Sequence, residues 1–147
     1  AAEEMKALFD VNALIALFTP DHSRADQTHQ WLQQHEEFGW ATCPLTENGF
    51  VRVTSQPSFP QFRPIRDAVS MLDNAIEAAH HAFWSDSISI TDAELFDHTK
   101  LHGHRQITDA YLLALAVRNG GRLVTFDKRM TIESVRGAKP EHLIILG

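Results

Sequence analysis

The chain has 147 residues, of which 44 % are hydrophobic, and a formal net charge of −6. That length suits one domain, and that apolar content supports a packed core and excludes a disordered chain. No apolar run approaches the roughly 18 residues that span a bilayer. The single cysteine, Cys43, excludes an internal disulfide and fits a reducing cytosol.

The N-terminus is acidic before Met5, unlike a signal peptide. Met5 reads as a candidate start with Ala1 to Glu4 a short extension, so the domain is expected over 5–147. "KALFD" (Lys6 to Asp10) reads as a first strand and "NALIALF" (Asn12 to Phe18) as a short helix stopped by Pro20. Asp21 to His35 reads as a second helix, with Ala25, Thr28, Trp31 and Leu32 at helical spacing. "FGWATC" (Phe38 to Cys43) is a second strand, and Pro44 to Thr54 a helix directly after it. The proline-rich Ser55 to Pro64 is a loop. A fourth helix is expected from Ile65 to Ala82, with Ala68, Met71, Leu72, Ala75, Ile76 and Ala79 on one face and with His80 and His81 on different faces. "SISI" (Ser87 to Ile90) predicts strand three, and "TDAE" (Thr91 to Glu94) has the capping-box pattern that starts a short helix. Thr108 to Gly121 is a helix apolar nearly all round, hence central, and ended by its glycine pair. "RLVTFD" (Arg122 to Asp127) and "HLIILG" (His142 to Gly147) complete the strands. Strands alternating with helices predict an α/β sandwich on a mostly parallel sheet.

Charge is unevenly spread along this map. Between His98 and Lys139 stand Lys100, Arg105, Arg118, Arg122, Lys128, Arg129, Arg136 and Lys139, against only Asp109, Asp127 and Glu133. The net charge argues against a nucleic-acid partner, whereas a basic C-terminal third could face phosphates. The acids are better placed still. Asp10 and Asp127 end apolar strands, Asp109 opens the central helix, and Glu47 lies in the first turn or so after strand two. In open α/β sheets, sites form beyond the carboxyl ends of the strands. Singly, each acid reads first as a cap, a turn residue or a surface charge. Together they do so less comfortably: burying a lone charge is costly, and clustered carboxylates repel unless a cation joins them. Oxygen donors suit Mg²⁺ or Mn²⁺, which can activate water for phosphodiester cleavage.

The stretches "LFDVNALIALF", "LTENGFVRV", "QITDAYLLALAVRNGGRLVTFDKRM" and "HLIILG" resemble the PIN-domain ribonucleases, and among them the VapC toxins of type II toxin–antitoxin pairs. The third stretch is the specific one, because acid, apolar helix, glycine pair, strand and second acid come in the family's order. The resemblance implies a three-layer α/β/α sandwich and a metal-dependent endoribonuclease that leaves a 5′-phosphate and a 3′-hydroxyl, with water as nucleophile. It implies Asp10, Asp109, Asp127 and Glu47 as catalytic and metal-binding acids, with Asn12 and Thr108 holding them in place. It further implies a VapB-type antitoxin lying over the acids, a homodimer, a cytoplasmic location and a structured RNA substrate such as tRNA or an rRNA loop. Arg105, Lys128 and Arg129 are the candidate phosphate contacts.

Other readings are a PIN nuclease of housekeeping RNA processing, disfavoured by chain length without an appended domain, and a PIN scaffold that binds without cutting, disfavoured by the four acids. A phosphoacceptor signalling domain needs paired acids after strand one, and "DVN" supplies one. His98, His102 and His104 raise a zinc site, with His98 and His102 at i, i+4 on one helix face, but no complete ligand set accompanies them.

Overall fold

The computed structural model describes residues 5–78 and 80–147, without the Glu36 side chain. The expectations for Ala1 to Glu4, and for Ala79 on the fourth helix, lie outside the described residues. The elements are β1 (Ala7–Phe9), α1 (Val11–Phe18), α2 (Ala25–His35), β2 (Trp40–Thr42), α3 (Pro44–Thr54), α4 (Ile65–Ile76), β3 (His81–Phe83), α5 (Ile107–Arg118), β4 (Arg122–Thr125) and β5 (Leu143–Ile145). The sheet order is β3-β2-β1-β4-β5, and every pairing is parallel. Asp10 therefore follows a strand flanked on both sides, and Asp127 lies just past its neighbour β4.

Strand alternation sorts the core into two layers. Ala7, Phe9, Trp40 and Val124 pack against the α1–α4 side, while Leu8, Ala41 and Leu123 pack against α5. The short strands are fully buried in β1, β2 and β4, as a parallel sheet covered on both faces requires. Burying a side chain such as Phe9 or Leu123 contributes about 1.5–3 kcal/mol. Helix α3 crosses α1 closely at Gly49, where a Cβ would stand 2.5 Å from a Val11 methyl. On the far side, α5 is wrapped by irregular chain rather than by further helices. Among the described residues, no helix is long and apolar enough to cross a membrane.

Between Ile76 and Leu101 the structure corrects the expected elements. The fourth helix ends at Ile76, not Ala82. His80 adopts a left-handed backbone (φ 69), turning the chain into the edge strand β3, so neither His80 nor His81 is helical. Strand three is thus His81–Phe83, paired with β2, and not Ser87–Ile90. The alternation of "SISI" is used differently: Ile88 and Ile90 pack on the α5 layer, and the Ile88 carbonyl accepts from the Tyr111 hydroxyl at 3.2 Å. "TDAE" forms no helix. The Asp92 carboxylate accepts from the Glu94 N–H at 2.9 Å and Ser89 Oγ from the Thr91 N–H at 3.2 Å, local turns that compete with helix initiation. His98–Lys100 and His104–Gln106 are separate 3₁₀ turns with extended Leu101 between them. His98 and His102 consequently share no helix face, and the zinc reading loses its geometric basis. Helix α2 begins at Ala25 rather than Asp21.

Candidate active site

Asp10 serves both of its candidate roles. Its Oδ1 accepts from the Ala13 N–H at 2.8 Å, capping α1, and its Oδ2 accepts from Thr125 Oγ1 at 2.5 Å. The same Thr125 oxygen accepts from the Asp127 N–H at 3.1 Å. One buried hydroxyl on β4 thus ties the acid after β1 to the acid after β4. Burial pushes the Asp10 carboxyl up; the Thr125 and Ala13 hydrogen bonds oppose this, and the charge of Asp127 adds to it.

Asp109 stands half-buried in the first turn of α5. Burial, then the charges of Asp10 and Asp127, push its carboxyl up to about 6, against the pull of Arg129. Asp127 is also a turn residue: its Oδ1 accepts from the Arg129 N–H at 2.9 Å and pairs with Arg129 Nε at 3.3 Å. The three acids face an open groove of about 400 Å³, shared with Asn12, Arg24, Phe126, Lys128 and Arg129. An adjoining hollow, lined by Asp109, Asp127 and Arg129 as well, adds Arg105.

Asp10, Asp109, Asp127, Asn12, Arg105, Lys128 and Arg129 are therefore gathered on one rim of the sheet. Glu47 and Thr108 are not part of it. Thr108 is exposed on α5 and lines neither hollow. Glu47 accepts from Thr42 Oγ1 at 2.7 Å and lines a different groove, between α3 and α4, with Val51, Val69, Leu72 and Asp73. Thr42 Oγ1 also lies 2.9 Å from His81 Nε2. A hydroxyl has one proton to give, so with Glu47 as its acceptor Thr42 must accept from a protonated Nε2. Burial, then the nearby Lys6 charge, lower the His81 pKa, which favours the neutral Nε2–H tautomer.

Sequence reasoning missed Thr125 and Arg24. The available signal for Thr125 was a hydroxyl two residues before a strand-end acid, directly after the apolar Leu123 and Val124. Arg24 gave none, since it lies far from the basic C-terminal third.

The donor set fits a hard divalent cation: three carboxylates converge, their mutual repulsion is visible at Asp109, and of the neighbouring cations Arg129 pairs with Asp127 alone. Among the described residues, no three His, Cys, Asp or Glu side chains stand at ion-caging distance, so the chemistry fits while the spacing is wider than a closed cage.

Comparison with known proteins bears on this arrangement. The PIN domain family model matches residues 7–136. Ribonuclease VapC44 of Mycobacterium tuberculosis is 45% identical over 142 residues, covering 97% of this chain and 100% of the relative. Ribonuclease VapC38 of the same organism is 41% identical over 95% of this chain and 99% of its own length. A crystal structure of VapBC2 from Rickettsia felis, bound to a DNA fragment from its promoter, superposes with a TM-score of 0.65 at 14% identity, covering 97% of this chain and 100% of that one; at that identity the likeness shows the fold. A family model spanning most of the chain, and relatives above 40% identity from end to end, show that the chain belongs to the PIN-domain family and, within it, to the VapC ribonucleases.

Proposed function

We propose that the protein is a divalent-metal-dependent endoribonuclease, the toxin of a type II toxin–antitoxin pair, cutting structured RNA such as tRNA or an rRNA loop. The observation that carries the metal-dependent part is the convergence of Asp10, Asp109 and Asp127 on one groove, with Asp109 pushed up to about 6. Its membership among proteins named ribonucleases supports RNA as the substrate.

Asp10, Asp109 and Asp127 would hold Mg²⁺ or Mn²⁺, which when bound supplies a water of lowered pKa and charge stabilisation at the leaving oxygen. Thr125 holds the Asp10 carboxylate with one lone pair engaged and keeps Asp127 in register with it. Asn12 lines the groove beside Asp10 and is available to orient a carboxylate or a phosphate oxygen. Arg105, Lys128 and Arg129 meet the RNA backbone. Arg129 exchanges its pairing with Asp127 for a phosphate as RNA arrives. Glu47 acts from the neighbouring turn, orienting water or completing the ligand set; this role requires it to leave Thr42. Thr108 remains a lesser candidate for supporting Asp109. The partner is a VapB-type antitoxin covering the acids, and the toxin is a homodimer in the cytoplasm.

The test is brief expression with and without the neighbouring small open reading frame, followed by end-mapping of cellular RNA. Growth arrest, relief by the neighbour, and new 5′-phosphate ends that reappear with clean RNA and Mg²⁺ or Mn²⁺ are expected. Normal growth with no cut at any metal sinks the proposal.

A further inference from the structure

Arg24 lines the acid groove with Lys128 and Arg129, in the turn before α2. Its backbone is fixed at both ends: its N–H donates to His22 Nδ1 at 3.0 Å, and its carbonyl accepts from the N–H and hydroxyl of Thr28 at 3.1 and 2.9 Å. Its guanidinium lies over the Phe126 ring, 4.6 Å from the centroid. Phe126 is buried and sits between Thr125 and Asp127. The Arg24 charge is thus positioned by the same strand end that sets the acids.

Two cations of this groove differ in what they already hold. Arg129 is paired with Asp127 at 3.3 Å, whereas among the described residues Arg24 has no carboxylate partner. The two hollows share Asp109, Asp127 and Arg129, with Arg24 lining one and Arg105 the other. The shared acids Asp109 and Asp127 thus have Arg24 in one hollow and Arg105 in the adjoining one. A polyanion crossing carboxylates needs cations flanking them, not only at one end. A guanidinium laid on an aromatic ring keeps its N–H edge for a bidentate phosphate contact and has little side-chain freedom left to lose.

We propose that Arg24 binds an RNA backbone phosphate on the α1–α2 side of the acid cluster, so that the strand is held at both Arg24 and Arg105 with the bond to be cut between them. This rests on the ribonuclease reading above. Arg24 acts on the strand and not on the reacting atoms, so its loss appears in substrate binding and not in turnover.

The experiment titrates a fluorescein-labelled single-stranded RNA into wild type, Arg24→Ala and Arg24→Lys in Ca²⁺ across a salt series. Cleavage of the same RNA is then followed in Mg²⁺, and Mn²⁺ binding is measured without RNA. Arg24→Ala should bind about tenfold more weakly, with the log–log salt slope reduced by about 0.7, the value for one lost single-strand phosphate contact. KM should rise with kcat within about twofold, and Mn²⁺ affinity should hold. Arg24→Lys should restore the slope but not the full affinity, because it lacks the planar fork. Arg24 is exposed, so the variants keep the fold, as melting curves will check. Wild-type affinity and slope in Arg24→Ala, or a loss confined to kcat, overturns this assignment while wild type still cuts and the ribonuclease reading stands. A wild type that neither binds nor cuts RNA overturns both.

Discussion

Two groups of acids stand in separate grooves, and they are held in different ways. Around β1 and β4, Asp10, Asp109 and Asp127 crowd one another, and desolvation and mutual charge raise Asp10 and Asp109. Beyond β2, Glu47 has its own donor in Thr42, backed by His81, and faces the α3–α4 groove. The first group is crowded, and protonation or a cation relieves it; the second accepts a neutral hydrogen bond. Asp10 and Asp127 have local donors as Glu47 does; what distinguishes the two places is that three carboxylates share one groove at the first, whereas Glu47 lines a separate one.

The sharpest way to break this contrast is to remove one crowded acid. Asp10→Asn or Asp109→Asn should lower cleavage in Mg²⁺ by roughly a thousandfold or more, given metal-centred chemistry, with the fold intact by circular dichroism. A variant that cuts at the wild-type rate leaves the site. Next in size, Thr125→Val keeps the shape of a buried side chain but removes the hydroxyl joining Asp10 to Asp127. It should weaken Mn²⁺ binding and cleavage by about 10–100-fold, the usual scale for groups that orient metal ligands. Unchanged Mn²⁺ titration curves would show that the acids hold themselves in place.

Glu47→Gln should cost less than either Asp variant, about tenfold, and Thr42→Val should not exceed it; a loss at Glu47 equal to that at Asp109 erases the distinction between the two places. The smallest effect is on stability. A carboxyl raised in the folded state binds more protons folded than unfolded between the two pKa values. Its contribution is complete below about pH 4 and is lost as pH rises toward 6. Denaturation without added metal should therefore show Asp109→Asn gaining on wild type across that window, by about 1–2 kcal/mol, and Mg²⁺ at pH 7 should narrow the gap. A gap constant from pH 4 to 7 removes the proposed crowding.

Legibility followed locality. The strands ending in Asp10 and Asp127, the Pro44–Thr54 helix and the central helix were readable, because the strands and the central helix are apolar runs with a stop signal within a few residues and the Pro44–Thr54 helix opens on a proline. Asp10 as cap and Asp127 as turn residue were also readable, and both readings coexist with the site. The stretch from Ile76 to Leu101 was not readable. Alanine-rich sequence before β3 continues a helical pattern, and nothing nearby announces that His80 turns back. "SISI" has the period of a strand, but its partner is a helix. The contacts that back these acids are long-range: His81 reaches Thr42 from 39 residues away and Thr125 reaches Asp10 from 115. No window of the sequence contains those pairs.

That last span has a consequence for the timing of synthesis. The strand at the middle of the sheet is made well before its neighbour β4, whose Thr125 follows Asp10 by 115 residues. Until that segment is made Asp10 lacks both its hydroxyl donor and the neighbouring Asp127. Domains fold as units once their sequence is complete, and strand pairing across so long a separation is intrinsically late. The groove shared by Asp10, Asp109 and Asp127 is therefore assembled only after β4 and Asp127 have been made, and a chain interrupted before them holds Asp10 without its Thr125 donor.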